Sequence, residues 1–165
     1  MGLWDTPPAR ISFPENLDEG NYDITARIPA ADSKLTQTLV REAVEKRFGL
    51  RIETETRTVR AYVMTALHSS PQLKPSSPQD RNMTGGSETS LIGTNQTMGD
   101  IARQFQDLLK TPVVDETGVE GKYNYSAFST LPQPDVVFDF AHQLGLELTP
   151  AARPVEMLIV HSVVP

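Results

Sequence analysis

The chain has 165 residues, a formal net charge of −6 and no cysteine. The acidic balance, with no cluster of Lys and Arg, argues against nucleic acid or an anionic membrane surface as a partner. The lack of cysteine excludes disulfides, thiolate nucleophiles and sulfur-ligated zinc. The longest apolar run is shorter than a bilayer span, so the sequence predicts no transmembrane segment.

The first half of the chain predicts a helix followed by a pair of strands. Leu35–Phe48 has apolar residues at helical spacing, and Gly49 follows, where a helix C-terminus favours positive φ. Leu50–Glu55 and Arg57–Leu67 are rich in β-favouring residues, and we interpret them as a β-hairpin. Residues 68–96 are rich in Pro, Ser, Gly and Asn without periodicity, which predicts a flexible linker.

The second half predicts two helices and four strands. Met98–Leu109 has apolar residues at helical spacing, and Thr97 with Asp100 has the pattern of an N-cap pair. Val136–Leu144 is the second helix, closed by Gly145. The predicted strands are Pro112–Asp115 and Lys122–Phe128, joined by a turn at Glu116–Gly121, then Leu146–Thr149 and Val155–Val163 as a second hairpin.

The two halves match at an offset of 96 residues without a gap. The identical residues are Val40, Gly49, Leu50, Arg57 and Val59, which fall on Val136, Gly145, Leu146, Arg153 and Val155. We therefore predict an α+β fold of two tandem αββαββ units, residues 1–67 and 97–165, with antiparallel hairpins packed on helices. Leu3-Trp4 aligns with the helix end at Leu108-Leu109, so the first helix of unit one is expected to be missing.

Met157–Val160 is apolar on both faces and is expected to lie inside a sheet. One apolar stripe in each unit is expected to form its core: Leu39, Val40, Val44 and Phe48 in the first, and Val136, Val137, Phe140 and Leu144 in the second.

Several stretches resemble the soil-associated protein family, a domain of unknown function from soil and aquatic bacteria. They are Thr111–Tyr123, Gln143–Leu148 and Pro154–Val160, with Tyr22–Ala26 and Lys46–Leu50 in the first half. Members of that family usually carry a leader, so the resemblance implies an exported protein, periplasmic or secreted. It implies no catalytic residues. No leader is visible in this chain after Met1-Gly2, and the family's first helix is expected to be missing.

A looser similarity is to the short N-terminal domains of secretins and TonB-dependent receptors. Those domains share a Val-Val-Asp…Gly-Lys strand pair, here at Val113–Lys122, and a helix ending in Leu-Gly-Leu, here at Leu144–Leu146. They are non-catalytic modules that bind protein partners in the periplasm. The similarity implies such a role for this chain only by analogy, because a fold does not fix a function.

The residues suited to chemistry are few. His68, His142 and His161 lack the spacing of zinc ligands, and we predict no metal site and no cofactor. Asp115, Glu116 and Glu120 flank a glycine-containing turn. Carboxylates on a turn can bind Ca²⁺, but the spacing is not that of an EF-hand. The alternative is a tight turn in which Asp115 hydrogen-bonds local backbone N–H groups.

Three further residues are candidates for binding. Arg57 and Arg153 occupy equivalent positions in the two halves, where they either grip a ligand together or serve as solvated or ion-paired charges. Trp4 is the only tryptophan. It is either an anchor for a partner or packs at the end of the missing helix.

The leading hypothesis is a non-catalytic, extracytoplasmic module that binds a protein partner or senses a ligand. Exposed sheet edges would suit strand addition by a partner. The alternative is a carboxylate-based hydrolase that uses Asp115, Glu116 and Glu120 in a cleft between the repeats. A purely structural spacer is the third hypothesis. An incomplete first unit also favours a homodimer, because it exposes apolar surface and strand edges.

Overall fold

The computed structural model describes residues 6–15, 20, 23, 25, 33–67 and 73–163, with the side chains of 33–37 outside the description. The chain divides into a first unit, Met1–Arg57 with Glu156–Pro165, and a second unit, Thr58–Val155. Helices and strands alternate irregularly, which confirms the predicted α+β class. The elements are a 3₁₀ turn (Pro8–Arg10), β1 (Ile11–Ser12), α1 (Ser33–Phe48), β2 (Leu50–Ala66), β3 (Lys74–Pro75), β4 (Met83–Ser87), β5 (Ser90–Gln96), α2 (Met98–Leu109), β6 (Val113–Asp115), β7 (Tyr123–Phe128), α3 (Asp135–Gln143) and β8 (Leu146–Ser162).

The two predicted hairpins at Leu50–Leu67 and Leu146–Val163 are wrong, because each is one continuous strand of 17 residues. β2 and β8 run antiparallel. At one end the N–H of Leu67 donates to the carbonyl of Gly145, and at the other the N–H of Val163 donates to the carbonyl of Gly49. A hairpin needs a residue at its turn that accepts positive φ, and Glu55-Thr56-Arg57 offers none.

Two prolines, Pro150 and Pro154, lie within β8 without ending the strand. The Leu67–Gly145 bond directs the main-chain groups of odd-numbered residues of β8 toward β2, since these groups alternate along a strand. Pro150 and Pro154 therefore place their nitrogens on the side away from β2. Within the second unit β8 is an edge strand, and an edge tolerates residues that lack an N–H.

The first unit contains α1 and a three-stranded part of a sheet in the order β1-β8-β2. β1 pairs in parallel with β8, with Ile11 opposite Leu158. Met157–Val160, predicted to lie inside a sheet, are all buried, as a strand with a neighbour on each side requires. The stripe predicted as this unit's core is less buried. Leu39 is 44% exposed, and Val40, Val44 and Phe48 are half-buried.

The second unit contains parts of two sheets and two helices. In one sheet β8, β2 and β6 are consecutive, and β6 pairs in parallel with Tyr62–Met64 of β2. The other sheet is antiparallel, in the order β3-β7-β5-β4. β6 and β7 therefore lie in different sheets. The turn between them connects the sheets and does not form the predicted strand pair.

One hydrophobic core holds the second unit together. Helices α2 and α3 meet the inward residues of both sheets, including Met64, Val113 and Leu146. The stripe predicted as this core is confirmed, since Val136, Val137, Phe140 and Leu144 are each no more than 1% exposed. Burial of such side chains contributes roughly 1.5–3 kcal/mol each, so this face supplies much of the free energy that holds α3 in place.

The described part of the predicted linker, residues 73–96, supplies β3, β4 and β5 and so differs from a flexible segment. Its strands lack the alternation of apolar residues that marks a half-buried sheet. The reason is visible at Gly93, whose inward position is filled by the ring of Tyr125 from β7. All residues of β4 are exposed, so packing does not require apolar side chains in this strand.

Helix α2 begins at a capping box, as Thr97 and Asp100 predicted. The Thr97 hydroxyl accepts from the Asp100 N–H at 3.2 Å, and the Asp100 carboxylate accepts from the Thr97 N–H at 2.9 Å. Partial burial would raise the pKa of the Asp100 carboxyl. The hydrogen bonds from the Thr97 hydroxyl and N–H outweigh it, and the pKa lies below its usual value of 3.8.

The two halves paired by the predicted repeat share one feature in the structure, a glycine with positive φ between a helix and a long strand. Gly49 and Gly145 both have positive φ, 60° and 74°, and each is followed by a strand of 17 residues. The helices before them differ in length, with 16 residues in α1 and nine in α3. Tandem αββαββ units therefore stay a prediction.

Replacing Gly93 with alanine should destabilise the protein by about 1–3 kcal/mol, the usual cost of overpacking. The added Cβ would clash with Cζ of Tyr125, and that ring is buried. Gly85→Ala is the matched control, because no atom lies within 4 Å of its Cβ. Urea denaturation should separate the two variants, and equal stabilities would contradict the packing of Tyr125 over β5.

Thr97→Ala should cost about 1 kcal/mol at neutral pH through loss of the N-cap, whereas Thr97→Ser should cost less. The lowered pKa of Asp100 means that its contribution is present above about pH 4 and is lost as the pH falls. Thr97→Ala should therefore lose less stability than the parent between pH 7 and pH 3. Urea denaturation at the two values measures this, and parallel losses would contradict the assignment.

Candidate functional site

The acidic turn singled out from sequence is arranged as a local turn. Asp115 ends β6, and its Oδ1 accepts from the Thr117 N–H at 3.0 Å and from the Thr117 hydroxyl at 2.7 Å. Gly118 and Gly121 have φ of 65° and 110°, which only glycine adopts without strain. The Tyr123 hydroxyl donates to the carbonyl of Glu120. Asp115 thus makes the backbone hydrogen bond expected of a turn residue.

Glu116 and Arg153 form a two-pronged ion pair on the surface of the second unit. Arg153 Nε lies 2.6 Å from one carboxylate oxygen of Glu116, and Nη2 lies 3.2 Å from the other. The hydrogen bond from Arg153 holds the pKa of Glu116 below its usual value, and Glu116 raises the pKa of Arg153. In the first unit Arg57 pairs with Glu55 at 2.8 Å. Both arginines match the ion-pair alternative.

The remaining sequence candidates form no common site among the described residues. His142 is exposed on α3, and His161 Nε2 lies 2.9 Å from a carboxylate oxygen of Glu53 in the first unit. Trp4 and His68 lie outside the described residues. Within the described ranges, no group of three His, Asp or Glu side chains is placed to hold a metal ion. No described helix is long and apolar enough to cross a membrane.

A groove of about 310 Å³ lies in the second unit, between the β4–β5 hairpin and helix α2. One wall consists of residues 84–87 with Ser90 and Leu91. The other consists of Gln104, Asp107 and Leu108, which share one face of α2 because they are three and four residues apart. Leu91 is buried and Leu108 half-buried, so apolar surface lies beside polar groups. Such a mixture is typical of a binding groove.

One rim of the groove is formed by β4, the terminal strand of its sheet. Ser87 and Ser90 pair next to the two-residue turn, and Gly85 is opposite Ile92. In a two-residue hairpin the pair beside the turn exchanges hydrogen bonds, and bonded pairs then alternate. The N–H and C=O groups of Thr84 and Gly86 therefore point away from β5, toward the open edge.

The pairing on the far side of β5 agrees with this orientation. The N–H of Ser129 donates to the carbonyl of Thr89, at the start of the β5–β7 ladder. Odd-numbered residues of β5 thus direct their main-chain groups toward β7, and even-numbered residues toward β4. The side chain of Thr84 lies on the α2 side, since its opposite residue, Gly93, is buried there.

A buried contact fixes the helix wall against the sheet. The Gln104 side-chain amide donates to the hydroxyl of Tyr125, whose ring lies against Gly93. Burial raises the pKa of the Tyr125 phenol to about 12, although the hydrogen bond from Gln104 acts in the opposite direction. The phenol is therefore neutral across the physiological range and its oxygen accepts the hydrogen bond from Gln104 in that form.

Sequence reasoning missed the groove because one wall lies in the segment predicted to be a linker. The available signal was Glu88-Thr89 between two short runs of β-compatible residues, with glycines on both sides. That signal is weak, since Gly85, Gly86 and Gly93 depress strand propensity. The acidic turn was visible in sequence, yet Asp115, Glu116 and Glu120 do not line the groove.

Arg153→Gln should raise the pKa of Glu116 toward its usual value, because it removes the hydrogen bond that stabilises the ionised form. An NMR titration of side-chain carboxyl carbons measures this. Arg57→Gln is the matched control and should leave Glu116 unchanged. An unmoved Glu116 titration in Arg153→Gln would contradict the ion pair.

Comparison with known proteins places the chain in one family. A family model with the description "Protein of unknown function (DUF3738)" matches residues 3–163. No curated protein matches the chain, and no solved structure matches it. Because the match extends over nearly the whole chain, the protein belongs to the DUF3738 family of proteins of unknown function.

Proposed function

We propose that this domain is a non-catalytic, extracytoplasmic interaction module that takes an extended segment of a protein partner as an added strand on β4. The observation that carries the proposal is the open edge of β4 beside a groove. Main-chain donors and acceptors of Thr84 and Gly86 point outward, and the whole strand is exposed. An edge of this kind is a ready template for another strand.

Strand addition explains both parts of the site. Main-chain hydrogen bonds to Thr84 and Gly86 would supply affinity that is independent of sequence, at roughly 0.5–1.5 kcal/mol each. Alternate side chains of the added strand would lie on the α2 side of the sheet and enter the groove. Gly85 and Gly86 present no side chain that would block the approach. The groove would then provide the selectivity.

The extracytoplasmic location is supported by the resemblance to the soil-associated protein family, whose members usually carry a leader. The protein-binding role is supported by the looser similarity to the short N-terminal domains of secretins and TonB-dependent receptors. Ligand sensing, the other form of the leading hypothesis, needs an enclosed pocket. The groove between β4 and α2 is open, which favours an extended segment over a small molecule.

The hydrolase alternative is less well supported by the described residues. It needs two carboxylates close together in a concave site. The groove has one, Asp107, whereas Asp115 bonds to Thr117 and Glu116 to Arg153. A second copy of this chain is the alternative occupant of the β4 edge. Measuring the oligomeric state distinguishes it from a separate partner.

The experiment is a selection of displayed eight-residue peptides on the immobilised protein, followed by calorimetry with the most enriched peptide. Thr84→Pro should weaken binding at least about tenfold, because it removes an outward N–H and places a ring at the edge. Thr84→Val is the matched control and should bind like the parent, since it keeps the N–H. Thermal melts check that both variants fold.

Equal binding by folded Thr84→Pro and Thr84→Val, or no enrichment of any peptide, would overturn strand addition at β4. Sedimentation velocity of the parent and of Thr84→Pro tests whether a second copy of this chain occupies the β4 edge. A parent dimer that Thr84→Pro converts to a monomer would assign the edge to self-association and contradict the proposal of a separate partner.

A further inference from the structure

We infer that the segment bound in this groove carries a lysine or arginine side chain, and that Asp107 selects it; the inference rests on the proposed strand addition at β4. Among the described residues, the groove is lined by Thr, Gly, Ser, Leu and Gln residues with a single ionisable group, the Asp107 carboxylate. Asp107 is exposed and forms no ion pair with any described residue. Its charge is available to a ligand.

The position of Asp107 suits a side chain that projects from an added strand. Gln104, Asp107 and Leu108 form the wall opposite β4, on one face of α2. Residues of the added strand that face this wall recur every second position, about 7 Å apart. Gly86 lies on the same side of β4 as Thr84 and has no side chain that could stand between the added strand and this wall.

The chemistry of the lining fits one amphipathic side chain better than a purely apolar or purely polar one. Leu91 and Leu108 offer apolar surface, and Asp107 lies next to Leu108 in the helix. Lysine and arginine bury an aliphatic stem along apolar surface while the charged end remains near water. The aliphatic part of such a side chain would pack over the two leucines, and its cationic end would pair with Asp107.

The overall charge of the chain acts in the same direction. The formal net charge is −6, so a cationic segment is attracted at long range and an acidic one is repelled. The nearest cationic neighbour of Asp107 in sequence is Lys110 at the helix C-cap, and Arg103 lies four residues before it. Neither lines the groove, so the groove itself presents only negative charge.

The test is to repeat the peptide selection on Asp107→Lys and Asp107→Asn beside the parent. Parent selections should enrich Lys or Arg at one fixed position of the peptide. Asp107→Asn should weaken binding of the enriched peptide by about two- to fivefold, as expected for an exposed ion pair. Asp107→Lys should weaken it further and should enrich Asp or Glu at that same position.

Glu147→Lys is the matched control. It makes the same change in net charge at an exposed residue of β8 that does not line the groove. It should keep the parent's preference for Lys or Arg, which separates a contact with Asp107 from general attraction to an acidic protein.

The two proposals fail in different ways. Peptides that bind the parent, lose binding in Thr84→Pro and show no cationic preference would overturn the role of Asp107 and leave strand addition standing. An unchanged preference in Asp107→Lys would do the same. Failure of any peptide to enrich on the parent would overturn both proposals.

Discussion

Burial of one face of helix α2 is the constraint on which the second unit depends. Met98, Ile101, Ala102 and Phe105 are all at most 4% exposed, and they contact residues of both sheets through one core. The Thr97–Asp100 capping box fixes where this helix begins, and hence which residues face inward. Once that face is set, Gln104, Asp107 and Leu108 must lie at its border, where the groove forms.

In the second sheet, a large side chain of one strand fills the space beside a glycine of the neighbouring strand, next to helix α2. Tyr125 occupies the space above Gly93, and its hydroxyl meets Gln104 from α2. The inward face of β5 is thus covered at Gly93 by the Tyr125 ring, although β5 has no apolar side chain of its own at that position. β4, the next strand, lies beyond the reach of this packing and is exposed throughout. The same arrangement that stabilises the sheet leaves β4 as its unpaired edge among the described strands.

Sequence patterns predicted the elements whose burial is one-sided and continuous. α2, β7 and α3 were placed within one residue of their observed limits, because apolar residues recur there at the period of the element. β2 and β8 were each predicted as hairpins, and each is one continuous strand. In β8, Pro150 and Pro154 interrupt the pattern without interrupting the strand. Their tolerance depends on which side of β8 is unpaired, a property of the tertiary structure.

The site was harder to predict than the fold, for a physical reason. The acidic turn attracted attention because Asp115, Glu116 and Glu120 are close in sequence, yet hydrogen bonds to Thr117 and Arg153 satisfy two of them. The groove combines residues from β4 and α2 that carry ordinary side chains. Only their juxtaposition, and the direction of main-chain groups in β4, sets them apart from other surface residues.

Amide hydrogen exchange along β4 in the free protein tests the open edge most directly. If β4 pairs only with β5, the N–H groups of Gly85 and Ser87 are bonded and those of Thr84 and Gly86 face solvent. We expect slow exchange at Gly85 and Ser87 and fast exchange at Thr84 and Gly86. Equal protection at all four amides would mean that the edge is already covered, and would contradict strand addition at this site.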